Sequence, residues 1–189
     1  MLAHLTYIPR VNEHMLTDGV VVLQPLATVD AAEWLAGEDD EQVRWFEFPR
    51  RSLLTDVQRF IDESQTSWRS GGDHRHWAIR CVESAPIVGG IDLRRLGDGE
   101  VNLSYVVFAP HRRQGIAGRA SLLALGYAAK VLGATTAIIK LLPGNVPSRR
   151  LAEGLGATLI GSAPSDAGAT HLVYRVALQD LAQRRQPGW

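Results

Sequence analysis

Residues 105–119 read Tyr-Val-Val-Phe-Ala-Pro-His-Arg-Arg-Gln-Gly-Ile-Ala-Gly-Arg. An apolar β-type run ends at Pro110, a basic turn carrying Gly115 follows, and an amphipathic helix opens at Ile116. The start of a helix leaves backbone N–H groups without intrahelical partners, and its dipole favours negative charge there. Gly115, Ala117 and Gly118 are small enough for a ligand to approach that backbone, while Arg112, Arg113 and Arg119 add positive charge. Strand, turn and helix together predict a phosphate or pyrophosphate site. The chain has no G-x-x-x-x-G-K-[ST], and no G-x-G-x-x-G follows a strand, so neither a P-loop nor a dinucleotide fold is supported.

Working outward, the helix from Ile116 places Ala120, Leu123, Tyr127 and Val131 on one stripe and stops at Gly133. Residues 134–142 then read as a buried strand, parallel to the strand before the helix in a β-α-β unit. Upstream, strands at about 76–82, 87–94 and 100–108 form a meander, with turns at Ser84-Ala85-Pro86 and Gly97-Asp98-Gly99. Before them a helix starts at Thr55 with Gln58 completing a capping box, and Gly71-Gly72 end it. A first strand is expected at 20–26 and a short helix at 31–36, capped by Thr28 or Asp30. Residues 38–41 are acidic and read as a solvated loop or helix end, while 44–51 are aromatic-rich with no clean period. Downstream come a loop at 143–145, a short helix to Leu155, a strand near 158–160, a loop at 164–168 and a last strand at 171–178. The expectation is one α/β domain over residues 1–189 with a mixed sheet, its core at about 20–178.

Composition narrows the function classes. The chain has 189 residues with 20 basic and 20 acidic side chains, so it lacks the positive balance of a nucleic-acid binder. Cys81 is the only cysteine, which rules out an intrachain disulfide and a multi-thiolate metal centre; in its apolar run it reads as a buried small hydrophobe. Residues 1–14 lack a basic region followed by a long apolar core, and no stretch reaches the ~18 apolar residues of a membrane span. A cytoplasmic monomer or homodimer with no membrane or nucleic-acid partner is expected.

The turn resembles the acyl-CoA pyrophosphate loop of the GNAT superfamily of N-acyltransferases, R/Q-x-x-G-x-G/A, here Arg112-Arg113-Gln114-Gly115-Ile116-Ala117. A second stretch, Asn145-Val-Pro-Ser148-Arg-Arg-Leu-Ala152-Glu-Gly-Leu155-Gly156-Ala157, resembles the N-x-x-S-x-x-x-x-x-x-L-G-F of the branch acting on ribosomal-protein N-termini. Leu23-Gln24-Pro25-Leu26, Trp45, Trp77-Ala78-Ile79 and Val88-Gly89-Gly90-Ile91-Asp92-Leu93 extend the resemblance over residues 20–178. It implies a GNAT-like fold and acetyl transfer from acetyl-CoA to an amine, either a protein N-terminus or a small molecule, with no metal. Two departures stand out: many relatives have Tyr at Ala152, assigned to protonating the thiolate, and Glu at Asn102. They keep open a non-catalytic acyl-CoA-binding sensor as the alternative.

The resemblance implies that Arg112, Arg113, Gln114, Gly115, Ile116, Ala117 and Gly118 hold the pyrophosphate, with Arg119, Arg149 and Arg150 as further cations. It also implies that Asn145 touches the CoA arm, although Asn before Val146-Pro147 is equally a helix cap. With Ala152 in the Tyr position, Ser148 becomes the candidate thiolate donor. Backbone N–H groups near Val107 and Phe108 would polarise the thioester carbonyl. Glu100 is the strand carboxylate available as a base. Trp45, Phe46, His76 and Asp92 are expected on the acceptor side, with Phe48 and Trp68 as further aromatic walls, although the four aromatics read equally as core. His74 and His76 fail as a metal pair, because no third ligand is expected in reach.

Overall fold

The computed structural model describes residues 14–183, and the expected meander forms the centre of an eight-stranded mixed sheet. The elements in chain order are β1 (Leu16–Thr17), β2 (Val21–Pro25), α1 (Ala31–Gly37), α2 (Asp40–Trp45), α3 (Leu54–Ser70), β3 (His74–Cys81), β4 (Ser84–Gly97) and β5 (Glu100–Val107). They continue with α4 (Ile116–Val131), β6 (Thr136–Leu141), α5 (Val146–Gly154), β7 (Thr158–Pro164), β8 (Thr170–Ala177) and α6 (Leu178–Gln183). The strand order is β1-β2-β3-β4-β5-β6-β8-β7. The one parallel pairing among the described residues, β5 with β6, is the β-α-β unit read from the sequence.

Local chemistry explains most boundaries. Asp98 (φ 49°) and Gly99 (φ 75°) form the two-residue turn that joins β4 to β5 with the twist of the flanking strands. The β3–β4 turn falls at Val82-Glu83, about two residues earlier than expected: Cys81 pairs with Ser84, so Ser84, Ala85 and Pro86 belong to the strand. The start of α3 also differs. Leu53 takes the cap position, and the Asp56 carboxylate accepts its N–H at 2.9 Å, so the box through Thr55 and Gln58 does not form. An acid in the first turn also favours the helix dipole, which the amide of Gln58 cannot do. At its other end α3 stops on Gly71 at φ 68°, a left-handed position suited to glycine.

Alternation along β3 separates two layers. Trp77 and Ile79 face the main core, which contains Leu93, Leu103, Leu125 and Ile139 under α4, α5 and α6. Ala78 faces the smaller core under α1 and α3, with Ile61, Ile87 and Phe108. Trp68 is not an acceptor wall: it packs edge-on against Trp77 and Tyr127 in the main core. Cys81 is a free, half-buried thiol packed against the same core. No helix among the described residues is long and apolar enough to cross a membrane.

Candidate active site

The β5–β6 ladder pairs Glu100 with Thr136, Val101 with Ala137 and Asn102 with Ile138, and there it ends. Beyond it β5 runs to Val107 beside β4, while β6 continues to Leu141 beside β8 and leads into α5. The opening between them is a cavity of about 840 Å³, bordered by Tyr105, Val107, Gly115, Ala117, Asn145 and Ser148, among others. A split parallel pair exposes one edge of β5 backbone, and the direction of each N–H follows from the pairing. The Phe108 N–H donates to the Val88 carbonyl at 2.9 Å, so Val107 and Gly89 form a non-hydrogen-bonded pair. The N–H of Val107 therefore faces the opening, whereas that of Phe108 is already bonded. The Phe108 ring is buried in the smaller core, lying where a Cβ on Gly37 would fall.

The basic turn has the backbone expected of an anion cradle. Arg113 (φ 64°) and Gly115 (φ 75°) are both left-handed, and no side chain among the described residues caps the start of α4. A Cβ on Gly115 would meet no atom within 4 Å, so the glycine serves conformation and access, not tight packing. Arg112 is held from three sides. Its Nε donates to the Val107 carbonyl at 2.9 Å, one guanidinium nitrogen pairs with Asp39 at 2.8 Å, and the other pairs with Glu41. The acidic run is thus not a solvated loop: Asp39 also caps α2 by accepting the Gln42 N–H, and Glu38 is buried with its carboxylate on the Ser52 N–H and hydroxyl. Burial pushes the Asp39 carboxyl up, but hydrogen bonds from Arg112 and Gln42 outweigh it and hold it below its ordinary value.

The other expected turn residues separate. Arg113, Gly115, Ala117 and Gly118 border the cavity. Ile116 is core, Gln114 donates to the Pro110 carbonyl at 3.3 Å on the surface, and Arg119 pairs with Asp18 at 2.7 Å beside β1.

On the opposite wall, Asn145 caps α5 by accepting the Ser148 N–H at 3.1 Å, so the cap reading of Asn145 holds while it also borders the cavity. The Ser148 hydroxyl lies 2.7 Å from the Tyr105 hydroxyl, and either oxygen can be the donor. Burial pushes the Tyr105 phenol up to about 12, with the Ser148 bond opposing the shift. Glu100 does not reach this site. It starts β5 at the closed end of the split and pairs with Arg175 at 3.2 Å. Five residues of strand separate it from Tyr105, roughly 17 Å at the rise of a β-strand. At the far rim, Glu47 (φ 55°) pairs with His171 at 2.7 Å and accepts from the Ser165 hydroxyl, tying the segment after α2 to the β7–β8 hairpin.

A second cavity of about 410 Å³ lies on the α1/α3 side of the sheet. Trp34, Phe46, Phe48 and Phe60 supply its aromatic walls; His76, Asp92 and Glu38 supply polar groups. His76 and Asp92 are cross-strand partners, with Nε2 and Oδ2 at 3.4 Å. His74 brings its own ligand-type atom to within 4.8 Å of those two, which corrects the expectation that no third group lies in reach. Strand register explains the grouping, since positions 74 and 76 share a face with residue 92 of the neighbouring strand. Burial, then the neighbouring His76, hold the His74 imidazole below its ordinary pKa. Trp45 borders the larger cavity instead, its indole N–H donating to Glu41 at 3.1 Å.

The two cavities share Gln42, Phe46, Ser104, Tyr105 and Val106, so they meet at the unpaired stretch of β5. Sequence reading missed Tyr105, Gln42, Glu38 and Trp34. Tyr105 carried a usable signal, because a Tyr in an apolar strand needs a partner for its hydroxyl. Glu38 sat in the acidic run and Gln42 between it and the aromatic segment, and neither gave one.

The sequence model of the acetyltransferase (GNAT) domain family matches residues 21–158. Solved structures share the fold. A Vibrio cholerae protein provisionally assigned as a ribosomal-protein-serine acetyltransferase is 19% identical, with a TM-score of 0.73 over 86% of this chain and 97% of its own. Mycobacterium smegmatis RimJ, solved with CoA-disulfide, is 20% identical, with a TM-score of 0.73 over 88% of this chain and 86% of its own. The microcin C7 self-immunity acetyltransferase MccE, solved with acetyl-CoA and AMP, is 17% identical, with a TM-score of 0.72 over 85% and 93%. Among curated protein sequences none matches this chain.

Proposed function

The chain belongs to the GNAT acetyltransferase family, and we propose that it moves an acetyl group from acetyl-CoA to a primary amine of the kind found at a protein N-terminus. The observation that carries this reading is the meeting of two cavities at residues 104–106, one beside an uncapped helix start and one walled by aromatic rings. Acetyl-CoA supplies the activated acyl group. The residues suit it: the first-turn N–H groups of α4 and Arg113 would hold its diphosphate, and Asn145 would lie along its arm. The N–H of Val107, free of β4, would polarise the thioester carbonyl. Ser148 would protonate the departing sulfur, a role left open by Ala152, which is fully buried on α5.

A small amine is the second reading, favoured by the size of the 410 Å³ cavity, which is that of a small-molecule site. One screen separates the two. Peptides with free N-termini and small amines are incubated with acetyl-CoA, CoA thiol is titrated, and products are weighed for an added acetyl group. Acetylated peptides support the first reading, acetylated small amines alone support the second, and binding of acetyl-CoA without thiol release defeats both.

A further inference from the structure

Tyr105 is the one titratable side chain among the described residues that borders both cavities. Its hydroxyl lies 2.7 Å from the Ser148 hydroxyl, where either oxygen can donate, and 3.3 Å from the Ser148 carbonyl, a weaker alternative acceptor for the same proton. Ser148 borders the larger cavity alone. Two hydroxyl groups therefore lie side by side at the wall of the donor cavity, one of them on the strand residue that borders both cavities.

We propose that Tyr105 and Ser148 form a neutral proton relay from the acceptor amine to the departing sulfur. This inference rests on the N-acetyl-transfer reading above and adds the route of the proton. The bond from nitrogen to the acyl carbon forms and the bond from that carbon to sulfur breaks. The nitrogen gives its surplus proton to the Tyr105 oxygen, Tyr105 gives its hydroxyl proton to Ser148, and Ser148 gives its own to sulfur. The products are an amide and the thiol of CoA. Both side chains finish neutral, each with one hydrogen replaced, and rotation of the two hydroxyl groups resets them.

Two features of the chain fit such a relay. A phenol pushed up to about 12 stays protonated throughout, and a concerted transfer never asks it to ionise. A relay also removes the need for a charged base beside the amine. Asn102, whose amide donates to the Ser104 hydroxyl at 3.0 Å, cannot act as one, and Glu100 is paired with Arg175 at the closed end of the split.

The test uses the full-length protein, acetyl-CoA and a short peptide with an N-terminal alanine, read by release of CoA thiol. Tyr105→Phe should lower kcat about 10- to 100-fold, in line with general acid–base effects, with both KM values within about twofold of wild type. Rates in mixtures of H2O and D2O should fall along a curve for the wild type, where several protons move together, and along a straight line for Tyr105→Phe. Ser148→Thr, which keeps a hydroxyl, should retain most of the rate that Ser148→Ala loses. Wild-type kcat in Tyr105→Phe overturns the relay, and if Ser148→Ala is slow at the same time, Ser148 acts alone. A Tyr105→Phe variant that loses acetyl-CoA affinity in parallel with rate also overturns it, because Tyr105 then only anchors α5. Failure of the wild type to release thiol with the peptide or any amine removes the transfer reading and the relay together.

Discussion

The proposed donor side and the proposed acceptor side of this cleft are built in opposite ways. The donor turn comes from one continuous run, residues 112–118, and its chemistry is mostly backbone: two left-handed residues and an uncapped helix start. The proposed acceptor cavity takes its walls from α1, α2, α3, β3, β4, β5 and the segments flanking α2, and its polar groups include the side chains of Glu38, His76 and Asp92. A site made of contiguous backbone tolerates drift at its flanks but not at its glycine. A site assembled from distant side chains should behave in reverse, with each wall adjustable and none indispensable.

The sharpest way to break the contrast is Gly115→Glu. The added side chain has open space to enter, so the fold should survive, but it would put negative charge where the helix start favours an anion. Calorimetry should find no measurable CoA binding, while Gly115→Ala, sharing the backbone strain without the charge, should keep affinity within about tenfold. Unchanged CoA affinity in folded Gly115→Glu would move the donor site elsewhere.

The next largest effect is set by the amine. An α-amine with pKa ~7.7 to 8.0 is about one-tenth neutral at pH 7, whereas a lysine near 10.4 is neutral in ~1 part in 10³. Two of the carboxylates that border the larger cavity, Glu41 and Glu47, are paired with Arg112 and His171, so the site is suited to an amine that arrives neutral. In matched peptides at pH 7, N-terminal amines should be acetylated roughly 100-fold faster than lysine ε-amines, with the rate levelling near pH 8. Glu100→Gln should leave both rates unchanged. Faster lysine acetylation would point to a base in the acceptor cavity, where His76 and Asp92 face each other.

The same contrast explains what could be read from the sequence. The meander, the β-α-β unit, the basic turn and the cap at Asn145 are local or period-bound, and each was legible from its own residues. The short β1, α2 and α6 were not expected, since two to six residues carry too little pattern to separate helix, strand and loop. Glu100 looked catalytic because it lies in the right strand, but which end of β5 loses its partner depends on where β6 diverges. Arg112 looked like a free cation for phosphate because its partners, Asp39 and Glu41, lie about seventy residues earlier in the chain. Long-range ion pairs leave no trace in spacing.

On the acceptor side, Gly90→Ala should sharpen the comparison. A Cβ there would come within 2.2 Å of the Trp34 ring, so the indole must swing aside and reshape the cavity. Acceptor KM should rise about three- to tenfold with CoA affinity unchanged, since one wall moves and the others remain. A loss of CoA affinity as large as the rise in acceptor KM would mean that the two halves are not separable.

The smallest expected effect concerns the tether between the halves. Arg112 joins the donor turn to Asp39 and Glu41, which flank the helix start that also carries Gln42 to the meeting point of the cavities. If the tether positions the turn, Asp39→Asn should weaken CoA binding about two- to threefold; if the Arg112 charge serves phosphate directly, releasing it from Asp39 should tighten binding instead. Stability gives a second readout. The folded Asp39 carboxyl lies below its ordinary value of 3.8, so its contribution is present above that pH and is lost as pH falls through the lower folded value. Asp18, held down by its backbone N–H partners and Arg119 against the opposing effect of burial, titrates in the same window and should keep part of the wild-type acid sensitivity in the variant. Asp39→Asn should therefore cost about 2–4 °C in Tm at pH 7, the equivalent of ~1 kcal/mol in a chain of this size, and progressively less below pH 4. A Tm difference that stays constant from pH 7 to pH 3 would show that the loss comes from the α2 cap and not from the charge of the tether.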